Sequence, residues 1–314
     1  YVIWFDIYDI LIYNIFFNMV EENKQLNKQK IIYNKLRKLL DLPEVSSDFI
    51  YWLIGFTEGD GSFVINNRGD LNFVIIQDTK DIQILNYIKE NLGFGSVIKQ
   101  SKTTSRYIVY NTLNLYMIGL LFNGNIILKT KLEKFNKWLS LLNKKIEKGN
   151  FCRKLNKKNE SDLLILSLIE KLDLELETKV LTLDNSWLSG FVDAEGCFYS
   201  NLVKKPNNKI SYNICFDISQ KGLNNKEVLD RLPILFGVGQ VSNHSKSEVF
   251  NYRVTGVTNN EKIIWYFDKY NLKSKKGGVF IIWKIILFWF LNKGHLKNIN
   301  MDYYVNLINN LNKN

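Results

Sequence analysis

Two segments of this chain, 135 residues apart, carry nearly the same dodecamer: Trp52-Leu-Ile-Gly-Phe-Thr-Glu-Gly-Asp-Gly-Ser-Phe63 and Trp187-Leu-Ser-Gly-Phe-Val-Asp-Ala-Glu-Gly-Cys-Phe198. Six of the twelve positions are identical and two more exchange Asp for Glu. The parallel continues downstream. An alternating run ends in glutamine (Phe73 to Gln77, Phe216 to Gln220), and a helical stretch is closed by glycine (Asp81 to Gly93, Asn225 to Gly237). Two short strands follow (94–101 and 105–112; 238–243 and 249–256), then a lysine-rich helix start (Leu128 to Lys131, Leu272 to Lys276). Helices are recognised here by 3.6-residue periodicity and strands by alternation. Each half is therefore predicted to be αββαββα, and the fold an α+β arrangement of two like subdomains made by duplication. The expected boundaries are a leader at 1–48, a first domain at 49–142, a linker at 143–185 and a second domain at 186–314. A connecting helix is expected over Leu163 to Leu176, and a buried one over Val279 to Leu291.

The first helix of each half has small residues at i and i+4, Gly55 with Gly59 and Gly190 with Ala194. Such a stripe lets two helices meet backbone to backbone. Ala194 is the only alanine among 314 residues, so its retention at this spot supports a close contact. Asp60 and Glu195 end the two helices at equivalent positions, and a pseudo-twofold interface brings them together. Adjacent carboxylates repel unless a cation neutralises them, and oxygen ligands beside phosphate suit Mg²⁺ or a similar divalent ion such as Mn²⁺.

Charge narrows the partner. Forty-two Lys and Arg against 31 Asp and Glu give +11. The surplus lies wholly in residues 49–314, because 1–48 carries six basic and seven acidic residues. A basic duplicated region points to a nucleic acid. Three cysteines without CxxC spacing exclude a zinc ribbon and a disulfide scaffold, and fit a reducing compartment. Two histidines, His244 and His295, exclude a histidine-rich metal site. Asn, Ile, Lys, Tyr and Phe crowd the chain while Ala and Pro are scarce, as expected of an AT-biased organellar genome. The chain starts at Tyr1, so 1–48 is expected to be read continuously with upstream sequence. The apolar run 1–20 contains Asp6, Asp9, Asn14 and Asn18 and is a poor membrane span. No stable membrane insertion is expected of 49–314.

The segments Leu53-Ile-Gly-Phe-Thr-Glu-Gly-Asp-Gly61 and Leu188-Ser-Gly-Phe-Val-Asp-Ala-Glu-Gly196 resemble the paired motifs of monomeric LAGLIDADG homing endonucleases, proteins of mobile introns and inteins. The likeness covers residues 49 to about 295, and no intein splicing motif accompanies it. It implies two subdomains forming a DNA-binding β-saddle and metal-dependent hydrolysis of both strands at a long nonpalindromic site. It further implies that Asp60 and Glu195 bind the catalytic metals, that Gln77 and Gln220 position water, and that Lys131 and Lys276 stabilise phosphate charge. Lys131 precedes Trp138 by seven residues and Lys276 precedes Trp283 by seven, but alignment from Leu272 makes Lys275 the alternative. Alternation from the first acid puts Ser62, Val64, Asn66 and Arg68 on one face, with Phe63 and Ile65 inward. The matching face of the second half carries Cys197, Tyr199, Asn201 and Val203. Arg68, Arg106 and Arg253 are the candidates for guanine contacts. The resemblance leaves a second role open, an RNA-binding maturase for the host intron. A transcriptional DNA-binding protein on this fold is the weaker third, since it would not require both carboxylates. A monomer in the mitochondrial matrix, acting on double-stranded DNA or on intron RNA, is the expectation.

Overall fold

The computed structural model describes residues 25–149, 155, 159–204, 210–243, 248–297 and 299–311. The first half runs α1 (residues 25–39), α2 (Ser47–Asp60), β1 (Gly61–Ile65), β2 (Leu71–Asp78), α3 (Ile82–Leu92), β3 (Ser96–Lys99), β4 (Thr104–Val109), α4 (Thr112–Phe122) and α5 (Lys129–Glu147). After α6 (Glu160–Leu168), the second half repeats it: α7 (Trp187–Glu195), β5 (Gly196–Lys204), β6 (Ile210–Lys221), α8 (Leu223–Phe236), β7 (Gln240–Asn243), β8 (Val249–Thr255), α9 (Val257–Lys269) and α10 (Lys276–Leu291), followed by α11 (Met301–Asn310). The architecture is α+β, with two antiparallel four-stranded sheets of identical order, β1-β2-β4-β3 and β5-β6-β8-β7.

One face of each sheet is covered by helices through an aromatic cluster that repeats residue for residue. Phe63 packs on Phe73, Phe122, Phe135 and Trp138. Phe198 packs in the same way on Phe216, Phe267, Phe280 and Trp283. Burial of such rings supplies most of the drive to hold helix on sheet. The turns repeat as well: Tyr107 donates to Phe94 O and Tyr252 to Val238 O, both at 2.9 Å. The ring of each lies over a glycine at φ +85°, Gly95 and Gly239, where a Cβ would fall 2.5 Å from the ring.

The halves meet along α2 and α7. A Cβ on Gly55 would sit 1.9 Å from Trp187 O, and one on Gly190 would sit 1.9 Å from Trp52 O. One on Gly59 would fall 2.3 Å from Ala194 Cβ. The small-residue stripe is therefore a requirement of the seam, and the single alanine of the chain lies in it.

Two expectations change. Alternation along β1 stops at Ile65, which is exposed, and Asn66 and Arg68 occupy the following turn. There Asn66 Oδ1 accepts from the amides of Arg68 (2.9 Å) and Asp70 (2.8 Å), a local bond that outcompetes strand pairing. The connecting helix ends at Leu168 rather than Leu176. Beyond it the chain is a strap whose backbone groups are taken by asparagines. Asn143 binds both the amide and the carbonyl of Leu172 (3.0 and 2.8 Å), Asn123 donates to Asp173 O (2.7 Å) and Asn136 to Glu175 O (2.7 Å). The described part of the leader, whose placement the sequence left open, packs on the first half. Buried Arg37 donates to Leu92 O (3.1 Å), Asn91 O (3.0 Å) and Pro43 O, with Ile32, Tyr33 and Leu36 buried beside it. Residues 1–24, including the apolar run, lie outside the described residues. No helix among the described residues is long and apolar enough to cross a membrane.

Candidate active site and nucleic-acid interface

Close approach of α2 and α7 places their C-terminal acids side by side. A Cβ on Gly59, next to Asp60, would lie 3.6 Å from Glu195 Oε1. Burial pushes both carboxyls above their ordinary values, and at Glu195 the charge of Asp60 adds to the rise. Gln77, near the end of β2, donates to Asp60 Oδ2 at 2.6 Å. Gln220 hydrogen bonds Glu195 and also accepts from Asn225 (3.2 Å). Each acid thus has its own amide from its own sheet.

Two half-buried lysines complete the ring. Lys131, in the first turn of α5, donates to Gly61 O at 2.6 Å; Lys276, the first residue of α10, donates to Ala194 O at 2.8 Å. Burial lowers both ammonium groups, Lys131 to about 8, while Asp60 and Glu195 partly offset the fall. Lys275 points elsewhere, to Asp81 of the other half at 3.2 Å. Of the two candidates left open by sequence, Lys276 is therefore the one beside the acids. The remaining predicted residues lie on the sheets. Arg106 and Arg253 stand on the face opposite the aromatic clusters, as do Ser62, Tyr199 and Asn201. Arg253 is clamped by Asp217 through Nε (2.8 Å) and Nη2 (2.8 Å).

Two residues of the repeat escaped sequence reasoning. Buried Glu58 accepts from Trp187 Nε1 across the seam (2.7 Å) and from the amides of Ile127 (3.0 Å) and Leu128 (2.5 Å), just before α5. Its counterpart Asp193 accepts from Trp52 Nε1 (2.8 Å) and from the amides of Lys273 (2.7 Å) and Ser274 (3.1 Å), just before α10. Each carboxylate anchors the turn that leads into the helix carrying its half's lysine and ties that half to the other half's tryptophan. Burial raises both, Glu58 to about 7. The available signal was the Asp/Glu exchange at this position together with tryptophan at the start of both copies.

Among the described residues no three His, Cys, Asp or Glu side chains converge as a metal cage. Two partly buried carboxylates that repel each other and whose charge Lys131 and Lys276 offset only in part nevertheless fit a hard divalent cation that keeps waters and takes phosphate oxygens.

The sequence profile described as LAGLIDADG endonuclease matches residues 53–142 and 188–287, one copy per half. The chain belongs to that family. It is 36% identical over 269 residues to "Probable intron-encoded endonuclease 4" of Neurospora crassa, an alignment covering 84% of this chain and 44% of that protein. It is 25% identical over 268 residues to "Intron-encoded RNA maturase bI4" of Saccharomyces cerevisiae, covering 83% of this chain and 34% of the relative. The chain thus spans half or less of the length of these two curated relatives. Its fold matches the solved structure of I-SmaMI bound to an uncleaved DNA target in the presence of calcium ions, with a TM-score of 0.69 and 20% identity over 86% of this chain and 99% of that one. The resemblance seen in the motifs and the two-subdomain architecture both hold.

Proposed function

We propose that this chain is a site-specific endonuclease that cleaves both strands of a long, nonpalindromic DNA target with Mg²⁺ or Mn²⁺. The observation that supports it best is the joining of two non-identical acid, glutamine and lysine sets at one seam. Asp60 and Glu195 would hold the metal, which when bound supplies Lewis-acid neutralisation of phosphate charge and a water of lowered pKa. The residues of the chain do the rest. Gln77 and Gln220, each tied to one acid, orient water toward one strand apiece. Lys131 and Lys276, anchored on Gly61 O and Ala194 O, present positive charge to the developing phosphorane oxygens. Low exposure around the lysines strengthens that interaction relative to water. Ser62, Asn66, Arg68, Arg106, Tyr199, Asn201 and Arg253 would contact the duplex, and the exposed lysines its phosphates. The protein would act as a monomer, since one chain supplies both sets, and in the mitochondrial matrix, where AT-biased, intron-encoded sequences of this kind arise.

The test uses Asp60→Asn and Glu195→Gln on the intronless exon junction of the host gene. Each single variant should nick at most one strand or fail altogether. Double-strand breaks by both would refute the assignment of the acids. A second reading, assistance in splicing the host intron, is favoured by the likeness to a protein named an RNA maturase. Precursor RNA incubated in the same experiment, with splicing scored separately from cleavage, separates the two.

A further inference from the structure

The two open sheet faces differ in chemistry at matching positions. On the first sheet, register aligns Ile76, Arg106 and Ile98 across three strands, and next to that row Ser62, Val74, Ile108 and Ser96. Counting back from Gln77 and Gln220, the corresponding rows of the second sheet are Ser219, Asn251 and Ser242, then Cys197, Asp217, Arg253 and Gln240. Aliphatic residues thus fill four places of the first face (Ile76, Ile98, Val74 and Ile108), where the second has two serines, an aspartate and an arginine. Ile76 and Ile98 are 41% and 40% exposed on that face. Since the second half builds the same fold with polar residues at these places, the apolar ones are not needed for folding. Val74 is buried and Ile108 half-buried, so Ile76 and Ile98 are the exposed aliphatic groups of this face, and such groups on one face mark a contact surface.

We propose that the first sheet recognises thymine 5-methyl groups in an A·T-rich half-site, and that Ile76 and Ile98 are its specificity-determining residues. The inference rests on the DNA-endonuclease reading above. In the major groove the thymine methyl is the one apolar feature a base edge presents, and aliphatic side chains take it up. The hydrogen-bonding group in the innermost row is Arg106, whose buried Nε has no partner. The second sheet takes the opposite chemistry. Asp217 occupies the Nε and Nη2 edge of Arg253, leaving the Nη1 and remaining Nη2 hydrogens as a fixed fork. Such a fork suits guanine O6 and N7, and its immobilisation before binding reduces the entropy lost on contact.

Duplexes bound by the Asp60→Asn variant are selected from a randomised library, and each thymine of the enriched site is then replaced singly by deoxyuridine, which removes only the methyl. Binding should weaken about fourfold at two or more thymines of one half-site, the worth of one buried methyl. At those thymines the penalty should vanish in Ile76→Ala or Ile98→Ala, exposed positions whose truncation leaves the core intact. Guanines sensitive to 7-deazaguanine should cluster in the other half-site and lose that sensitivity in Arg253→Lys. An enriched site indifferent to deoxyuridine, or a methyl effect unchanged by both alanine variants, overturns this inference alone. Failure to enrich any duplex removes the endonuclease reading and this inference with it.

Discussion

Gly55→Ala tests the seam on which the site depends. The new Cβ would lie 1.9 Å from Trp187 O and 2.9 Å from Phe191 N, both backbone atoms that cannot swing aside. Reaching ordinary contact at 3.4 Å requires an opening of 3.4 − 1.9 = 1.5 Å between α2 and α7. Applied to the two tryptophan hydrogen bonds that cross the seam, that shift takes Trp52 Nε1 to Asp193 from 2.8 to 4.3 Å, beyond bonding distance, and Trp187 Nε1 to Glu58 from 2.7 to 4.2 Å. Bonds to charged groups contribute about 1.5–3 kcal/mol each, and overpacking adds about 1–3 kcal/mol. With partial relaxation the expected loss is about 4 kcal/mol, a large fraction of ordinary domain stability. Cleavage should fall by about 100-fold or more, because a shift of about 1 Å in catalytic groups has that effect. Urea unfolding at constant m and single-turnover cleavage measure the two losses. Gly278→Ala is the control, because it lies in α10 with no heavy atom within 4 Å of its added Cβ. There the same change should be neutral or stabilising by up to about 1 kcal/mol. A Gly55→Ala protein within about 1 kcal/mol of the parent would refute the reasoning.

Trp187→Phe removes the indole donor from buried Glu58 while keeping an aromatic ring, and should lower stability by about 2 kcal/mol in denaturant titration. Lys131, held near 8 in the folded chain against 10.5 ordinarily, binds its proton less tightly than in the unfolded chain. Stability should therefore rise between pH 8 and 10.5 by at most about 1.4 kcal/mol per pH unit, a rise absent from Lys131→Met, which should be inactive yet no less stable at pH 7. Asn143→Ala frees both backbone groups of Leu172 and should increase proteolysis and amide exchange along 169–176 with little effect on the sheets. Affinity for any duplex should fall steeply with salt, with a log–log slope set by the number of phosphates neutralised.

Much of the fold was legible because it is repeated. The dodecamer, the glutamines and the closing glycines recur at one offset, and two copies of a pattern that specifies local structure specify it twice. The helix ends Gly93 and Gly237 both take the left-handed conformation, and Gly55, Gly59, Gly190 and Ala194 could be assigned to a contact because only small side chains permit one. What escaped was every decision made by a distant partner. The 163–176 segment has helical periodicity, yet its second part is not helical, and Asn123, Asn136 and Asn143, between 29 and 50 residues away, take its backbone groups. Glu58 and Asp193 stand in the sequence only as an Asp/Glu exchange within the motif, and only the seam gives them tryptophan and amide donors from elsewhere in the chain. Lys275 and Lys276 are adjacent and chemically identical in sequence; the first turn of α10 directs one to Asp81 and the other to the seam. Sequence thus determined the elements, their duplication and the acids at the helix ends, since those follow from short-range sterics and periodicity. Tertiary structure alone decided which charged groups are buried together, because desolvation and hydrogen bonding depend on neighbours that only packing supplies.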